Sequence, residues 1–269
     1  MRGVSAKSLE QVLAAVDRQV ADGAQPHALG DELFGVVALL DDEVSLRRVL
    51  TDPSTETEAQ EGLARRILGE RVGAATLEVI GAAVRGRWSS TRDLSDALEL
   101  AGVVAHVAGA DEAGSLEDVE DELFRFGRVA TGDSELRSVL TDRAVPADRK
   151  AKLVDDLLAD KASAATISLA RQATAARTKG FEATLRAFAE VAADRRDRLV
   201  ATVRVAAPLS QEDKERLAAA LGRQYGREVH PNVVVDPSII GGVSVEIGED
   251  VIDGTVATRL QDARRRIAG

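Results

Sequence analysis

A block of residues near the start of the chain returns ninety positions later, and that recurrence limits the fold more than any other feature. Asp31-Glu32-Leu33-Phe34 comes back as Asp121-Glu122-Leu123-Phe124. Leu46-Arg47 and Val49-Leu50-Thr51-Asp52 come back as Leu136-Arg137 and Val139-Leu140-Thr141-Asp142, and Ala74-Ala75-Thr76 as Ala164-Ala165-Thr166. Three separated blocks in one ungapped register point to a tandem duplication rather than chance. The period is too long for a solenoid unit of about 20 to 50 residues, and two copies are too few for an array. Each copy is expected to be a small helical bundle.

Within the first copy, Leu9, Val12, Leu13, Val16 and Val20 follow the spacing of one helix face. Further helices are expected near 27–40, 43–50, 55–69 and 73–88, with Asp52-Pro53 as a break. The second copy repeats this order, with Pro146 in the matching break region, and Phe181, Leu185, Phe188 and Ala192 form the seam of a helix at 181–198. Segment 91–108 stands in both copies, so one helix closes the first bundle and opens the second.

After Arg198 the pattern changes. Leu199 to Ala207 is rich in β-branched residues and reads as a strand ended by Pro208. Ser210, three residues before Asp213, opens a helix through Tyr225. Strands follow at 228–235, 243–247 and 251–252, then a final helix from Thr255. The expected fold is mostly α: bundles over 1–108 and 91–198, and a small C-terminal α/β domain over 199–269 built on hairpins.

The chemistry open to such a chain is narrow. With no cysteine, disulfides, thiolate metal sites and cysteine nucleophiles are excluded. A formal net charge of −10 disfavours nucleic acid without excluding it, and 3% aromatic residues leave few stacking platforms for bases. No apolar stretch approaches the about 20 residues needed to span a bilayer. Met1 to Val12 reads as neither a secretory signal nor a transit peptide.

Three blocks carry a resemblance: Val203-Arg204-Val205-Ala206-Ala207-Pro208-Leu209-Ser210, then Asp236-Pro237-Ser238-Ile239-Ile240-Gly241-Gly242-Val243, then Asp253-Gly254-Thr255-Val256 with Leu260. In order and spacing they resemble the C-terminal signature of the F-type ATP synthase δ subunit family, called OSCP in mitochondria. The preceding helices are similar to that family's six-helix bundle in pattern. Two departures stand out: the second bundle, which resembles the enlarged δ subunits of some actinobacteria, and the absence of an early Tyr-Ala pair. The resemblance implies a non-catalytic peripheral-stalk subunit without a cofactor, in a peripheral membrane complex at the cytoplasmic face of the bacterial plasma membrane. As partners it implies the catalytic head, whose α subunits offer amphipathic N-terminal segments to the helical bundle, and the stalk b subunit, which meets the C-terminal part. It does not assign which of the two bundles meets the head.

As partner-facing positions we single out Leu9, Val12, Val16, Leu77, Ile80, Val84 and Trp88 of the first bundle, and Ile239, Ile240, Val256 and Leu260 near the C-terminus. Pro208, Gly241, Gly242, Asp253 and Gly254 are read as a structural motif. Gly241-Gly242 lacks the Lys-Ser or Lys-Thr of a phosphate loop and reads as close backbone packing. Asp253 reads as a cap on the helix from Thr255, and Arg264-Arg265-Arg266 as a favourable helix end or a contact to an acidic stalk. His27, His106 and His230 are far apart without metal-ligand spacing, and His106 reads as a core or helix-surface residue. The acidic run Glu117 to Glu122 reads as a solvated first helix turn. Two rivals remain: an unrelated cytosolic helical-repeat adaptor, which leaves the C-terminal blocks unexplained, and a nucleotide-binding enzyme, for which a P-loop and an acid, base and nucleophile cluster are missing.

Overall fold

The computed structural model describes the chain except for residues 1–2, 143, 177–179, 198, 227–228, 237–238, 240, 248–249 and 257–269. It divides into two compact units, Met1–Ala193 and Asp194–Gly269.

The first unit is helical. The first copy forms α1 (Val4–Ala21), α2 (Pro26–Asp42), α3 (Val44–Leu50), α4 (Thr57–Leu68), α5 (Ala74–Arg85) and α6 (Thr91–Glu112). The second forms α7 (Leu116–Gly132), α8 (Ser134–Thr141), α9 (Ala147–Leu158), α10 (Ala164–Thr174) and α11 (Phe181–Asp197), whose last turn belongs to the second unit. The boundaries have local causes. Pro26 opens α2, where its missing N–H costs nothing. Ser90, Asp133 and Ser163 each accept a backbone N–H at the start of α6, α8 and α10. Helix α5 stops at Arg85 rather than 88, because Gly86 leaves the helical region with ψ 153° and passes against Ser8.

Two apolar cores form in this unit. Val12, Val16, Leu33, Leu50, Leu68 and Ile80 belong to the first, and Leu123, Phe126, Leu140, Leu169, Leu185 and Phe188 to the second. Helix α6 serves both: Leu94, Leu98, Ala101 and Ala105 enter the first core, while Val103, Val107 and Ala110 enter the second. A helix apolar on opposite faces has no stable place unless both are covered, so its sequence demands a bundle on each side.

The repeated blocks occupy matching positions. Leu33 and Leu123 are fully buried, as are Leu50 and Leu140. Glu32 Oε2 accepts from the backbone N–H of Gly73 at 2.8 Å and from the hydroxyl of Thr76, at the N-terminus of α5. Ninety residues on, Glu122 Oε2 accepts from Ser163 N at 2.9 Å and from Thr166 Oγ1 at 2.6 Å, at the N-terminus of α10. A carboxylate from one helix therefore caps another, where free N–H groups and the helix dipole favour negative charge. Glu122 is thus not merely part of a solvated acidic turn. Glu32→Ala and Glu122→Ala are each expected to cost about 1–2 kcal/mol in urea unfolding; a silent Glu122→Ala would mean that the second cap bears no load.

The copies differ where the first meets the second. Phe34 packs beside Gly102 of α6 and joins the second core, whereas its counterpart Phe124 is 61% exposed. Gly30, at the α2–α6 contact, has Glu120 as its counterpart, so α7 lacks the small residue that lets α2 lie close against α6.

The second unit holds a four-stranded sheet in the order β2-β1-β3-β4. Its strands are β1 (Leu199–Val205), β2 (Val229–Val235), β3 (Val243–Ile247) and β4 (Asp250–Asp253), with α12 (Gln211–Tyr225) between β1 and β2. The expected hairpin exists at β3–β4, with Val245 opposite Ile252. Strands β1 and β2 instead run parallel, Leu199 opposite Val229 and Val205 opposite Val235, because α12 carries the chain back to the starting edge. Ser210 Oγ accepts from Asp213 N at 3.1 Å to start α12, and Gly226 at φ 69° ends it. Val203, Val205, Leu221, Val229, Val245 and Ile247 form this unit's core.

Candidate partner-binding surfaces

In the first bundle, α1 and α5 lie side by side and set the positions of seven apolar residues singled out from the sequence. Val12, Val16, Ile80 and Val84 are buried in the first core, while Leu9, Leu77 and Trp88 are half-buried. A partner can therefore touch the last three directly, and the first four supply the floor beneath them. Trp88 donates its Nε1–H to Ala83 O at 2.9 Å, which fixes the indole at the end of α5.

Beside Trp88 lies a cavity of about 300 Å³ lined in part by Val4, Leu50, Pro53, Val84 and Trp88. Val4 is 56% exposed, an apolar side chain on the rim. Two buried serines hold the wall. Ser8 Oγ donates to Arg87 O at 2.8 Å and accepts from Arg87 N, and Ser5 Oγ donates to Asp93 Oδ2 at 2.6 Å while accepting from Ser89 N. These bonds tie the first turns of α1 to the connection between α5 and α6. Gly86 fits only because it lacks a side chain: a Cβ there would lie 2.9 Å from Ser8 Cβ. Ser5, Ser8 and Gly86 escaped sequence reasoning, although the i, i+3 spacing of the serines toward Val12 places them on the buried face of α1.

Charge surrounds this apolar floor. The hydroxyl and the backbone N–H of Ser54 hold the Asp52 carboxyl below its usual range, so the rim keeps a negative charge in mild acid. Arg85 pairs with Glu61 at 3.0 Å, an exposed ion pair worth about 0–1 kcal/mol. The arrangement suits an amphipathic segment with an apolar stripe. Among the described residues no group of three or more His, Asp or Glu side chains could hold a metal.

In the second unit the glycine and aspartate motifs meet. Gly254 N donates to Val243 O and Val256 N to Gly241 O, both at 2.9 Å, so the two loops clasp backbone to backbone. Gly242 has φ +86°, and a Cβ there would lie 2.5 Å from Gly254 O. Asp253 Oδ1 accepts from Thr255 N at 2.9 Å. Pro208 is exposed after β1, Ile239 is half-buried and Val256 is 39% exposed. Val251 and Ile252 of β4 are also exposed. Ile240, Leu260, the run Arg264 to Arg266 and the rest of the helix expected from Thr255 lie outside the described residues.

The family model for the ATP synthase delta (OSCP) subunit matches residues 103–267, more than half of the chain. The chain belongs to that family. The match begins within α6 and takes in the second bundle and the α/β unit, which leaves most of the first bundle ahead of it. Full-length delta relatives extend over that bundle as well. ATP synthase subunit delta of Streptomyces griseus subsp. griseus is 47% identical over 100% of this chain and 98% of its own length. Its counterpart in Thermobifida fusca is 46% identical over 100% of both. A chain of the Toxoplasma gondii mitochondrial ATP synthase hexamer, solved by cryo-electron microscopy, is 22% identical with a TM-score of 0.27, covering 62% of this chain and 97% of that one. The peripheral-stalk subunit implied by the C-terminal blocks is the role of this delta family, and the unrelated adaptor is not favoured. No helix among the described residues is long and apolar enough to cross a membrane.

Proposed function

We propose that the chain is the static link of a bacterial F-type ATP synthase, binding the catalytic head at one place and the stalk b subunit at another, without catalysing a reaction itself. It reaches the cytoplasmic face of the plasma membrane through these partners. The observation that carries this reading is the 46–47% identity to delta subunits over the whole chain, both bundles included.

The head's α subunits offer amphipathic N-terminal segments, and the α1/α5 side of the first bundle is the surface that receives one. Its half-buried Leu9, Leu77 and Trp88 and its rim residue Val4 support this assignment. The helix that opens the second bundle, α6, is covered on both faces and has less surface to offer. The b subunit meets the C-terminal unit around Ile239, Val256 and the β4 face. Helix-in-groove docking supplies affinity through a few buried anchors.

Affinity capture of the tagged full chain from native membranes tests this. Wild type recovers α, β and b subunits. Val4→Asp is expected to lower recovery of the isolated α-subunit segment at least about tenfold, the effect of roughly 1.4 kcal/mol, with an unchanged melting temperature. Full recovery with Val4→Asp, and loss on altering exposed Phe124 instead, would move the head contact to the second bundle.

A further inference from the structure

Three glycines let α2 and α6 approach until only flat rings fit between them. A Cβ at Gly30 would lie 2.5 Å from His106 Cδ2, one at Gly102 2.6 Å from Phe34 Cε1, and one at Gly109 2.9 Å from His27 Cε1. His106 is fully buried there, with Phe34 stacked on it at a centroid separation of 5.2 Å. His27 Nδ1 and His106 Nδ1 stand 3.2 Å apart, although 79 residues separate them in sequence. His106 Nε2 lies 3.2 Å from Asp31 Oδ1, an ion-pair distance without hydrogen-bond alignment. Asp31 also feels the charge of Arg171 on α10 of the second bundle, which packs against both α2 and α6. The cluster thus joins α2 to α6 and reaches across to α10.

We propose that this cluster is an acid-sensitive joint between α2 and the shared helix α6, closed while one hydrogen lies between the paired Nδ1 atoms of neutral rings and weakened when solvent protonates His27. Two nitrogens 3.2 Å apart accommodate one N–H and one lone pair. With the Asp31 carboxylate favouring a hydrogen on His106 Nε2, neutral His106 presents its Nδ1 lone pair and His27 donates. A proton taken up at His27 Nε2 leaves that bond in place but sets a positive charge in a half-buried site against the His106 ring. The glycine-narrowed gap leaves the rings little room to turn away from each other. Opening this contact loosens the glycine-lined stretch of the α2–α6 seam, while Leu33 of α2 and Leu98 of α6 stay seated in the first core.

The charged and titratable groups of the cluster are His27 and Asp31 from α2, His106 and Glu112 from α6, and Arg171 from α10, itself paired with Asp155 of α9. Burial and the nearby His106 lower the pKa of His27 from its usual 6.5, against the opposing pull of Asp31 and Glu112. An unfolded chain therefore takes up this proton first as pH falls, so the stability is whole above about 6.5 and is lost below it. The Asp31 carboxyl is held below its usual 3.8, first by its contact with His106, so its contribution is lost only in stronger acid. The window from pH 7.5 to 5.5 therefore reports His27.

Melting temperatures of the purified full chain at these two pH values, for wild type and His27→Gln, provide the test, with imidazole NMR titration beside them. Wild type is expected to lose about 3 °C or more on acidification and His27→Gln to lose at most half as much. The His27 resonance is expected to titrate below its usual midpoint and to move upward in His106→Asn. Equal acid losses in wild type and His27→Gln, or an ordinary His27 midpoint, would overturn the proposal. So would a rise in melting temperature on adding Zn²⁺ to metal-free protein, since two nitrogens 3.2 Å apart can also grip one ion.

Discussion

Phe188→Asp is expected to leave the second bundle unfolded while the first remains folded. Phe188 is 6% exposed within the second core, on the same seam as Phe181 and Leu185. Losing a buried phenyl ring costs about 3–5 kcal/mol by itself. A carboxyl group placed there has no cationic or N–H partner among the core residues, and burying it unpaired adds several kcal/mol more. A domain stable by about 5–15 kcal/mol does not survive the sum comfortably. The first bundle persists because Leu94, Leu98, Ala101 and Ala105 of α6 remain seated in its own core. Circular dichroism should lose the share of helix contributed by α7 to α11, and limited proteolysis should cut after α6 while sparing α1 to α5. Phe188→Leu, which keeps an apolar side chain, is expected to retain the bundle. An unchanged melting temperature in Phe188→Asp would mean that the seam of α11 faces elsewhere.

The parts of this fold that the sequence exposes are those set by local periodicity or by repetition. Leu33 and Leu123 can be paired by eye, and the two-faced character of α6 follows from one segment serving two ninety-residue copies. Strand pairing was less legible: the β-branched runs mark β1 and β2, but their parallel register depends on where α12 returns the chain. Contacts between distant residues were least visible. His27 and His106 carry no spacing signal, and only the glycines opposite them reveal how closely α2 and α6 approach. Glu32 and Glu122 look like surface acids because the N–H groups they cap lie 41 residues further along the chain. On the candidate partner face, helical spacing grouped Val12, Val16, Ile80 and Val84 with Leu9, Leu77 and Trp88 without separating the buried four from the half-buried three. That separation depends on which neighbouring helices cover each residue, which is a property of packing.

Gly242→Val is expected to disable the C-terminal clasp while both helical bundles stay folded. The cost has two sources at one residue. A β-branched side chain is strained at φ +86°, and its Cβ would meet Gly254 O at 2.5 Å and Thr255 Cα at 2.9 Å, backbone atoms that cannot swing aside as a side chain could. Together these amount to roughly 3 kcal/mol or more, enough to part Gly254 N from Val243 O and Val256 N from Gly241 O. Hydrogen exchange should show both amides losing protection while those of α1 to α10 keep theirs, and capture of the b subunit should fall with them. The neighbouring glycines provide a graded control. At Gly254 a Cβ would lie 3.1 Å from Val243 O, another backbone atom, so Gly254→Ala should be intermediate. At Gly241 it would lie 3.3 Å from the movable Val256 Cγ2, so Gly241→Ala should be nearly silent. A reversed order, with Gly241→Ala the most damaging, would show that the motif acts through a surface at Gly241 itself rather than through the clasp.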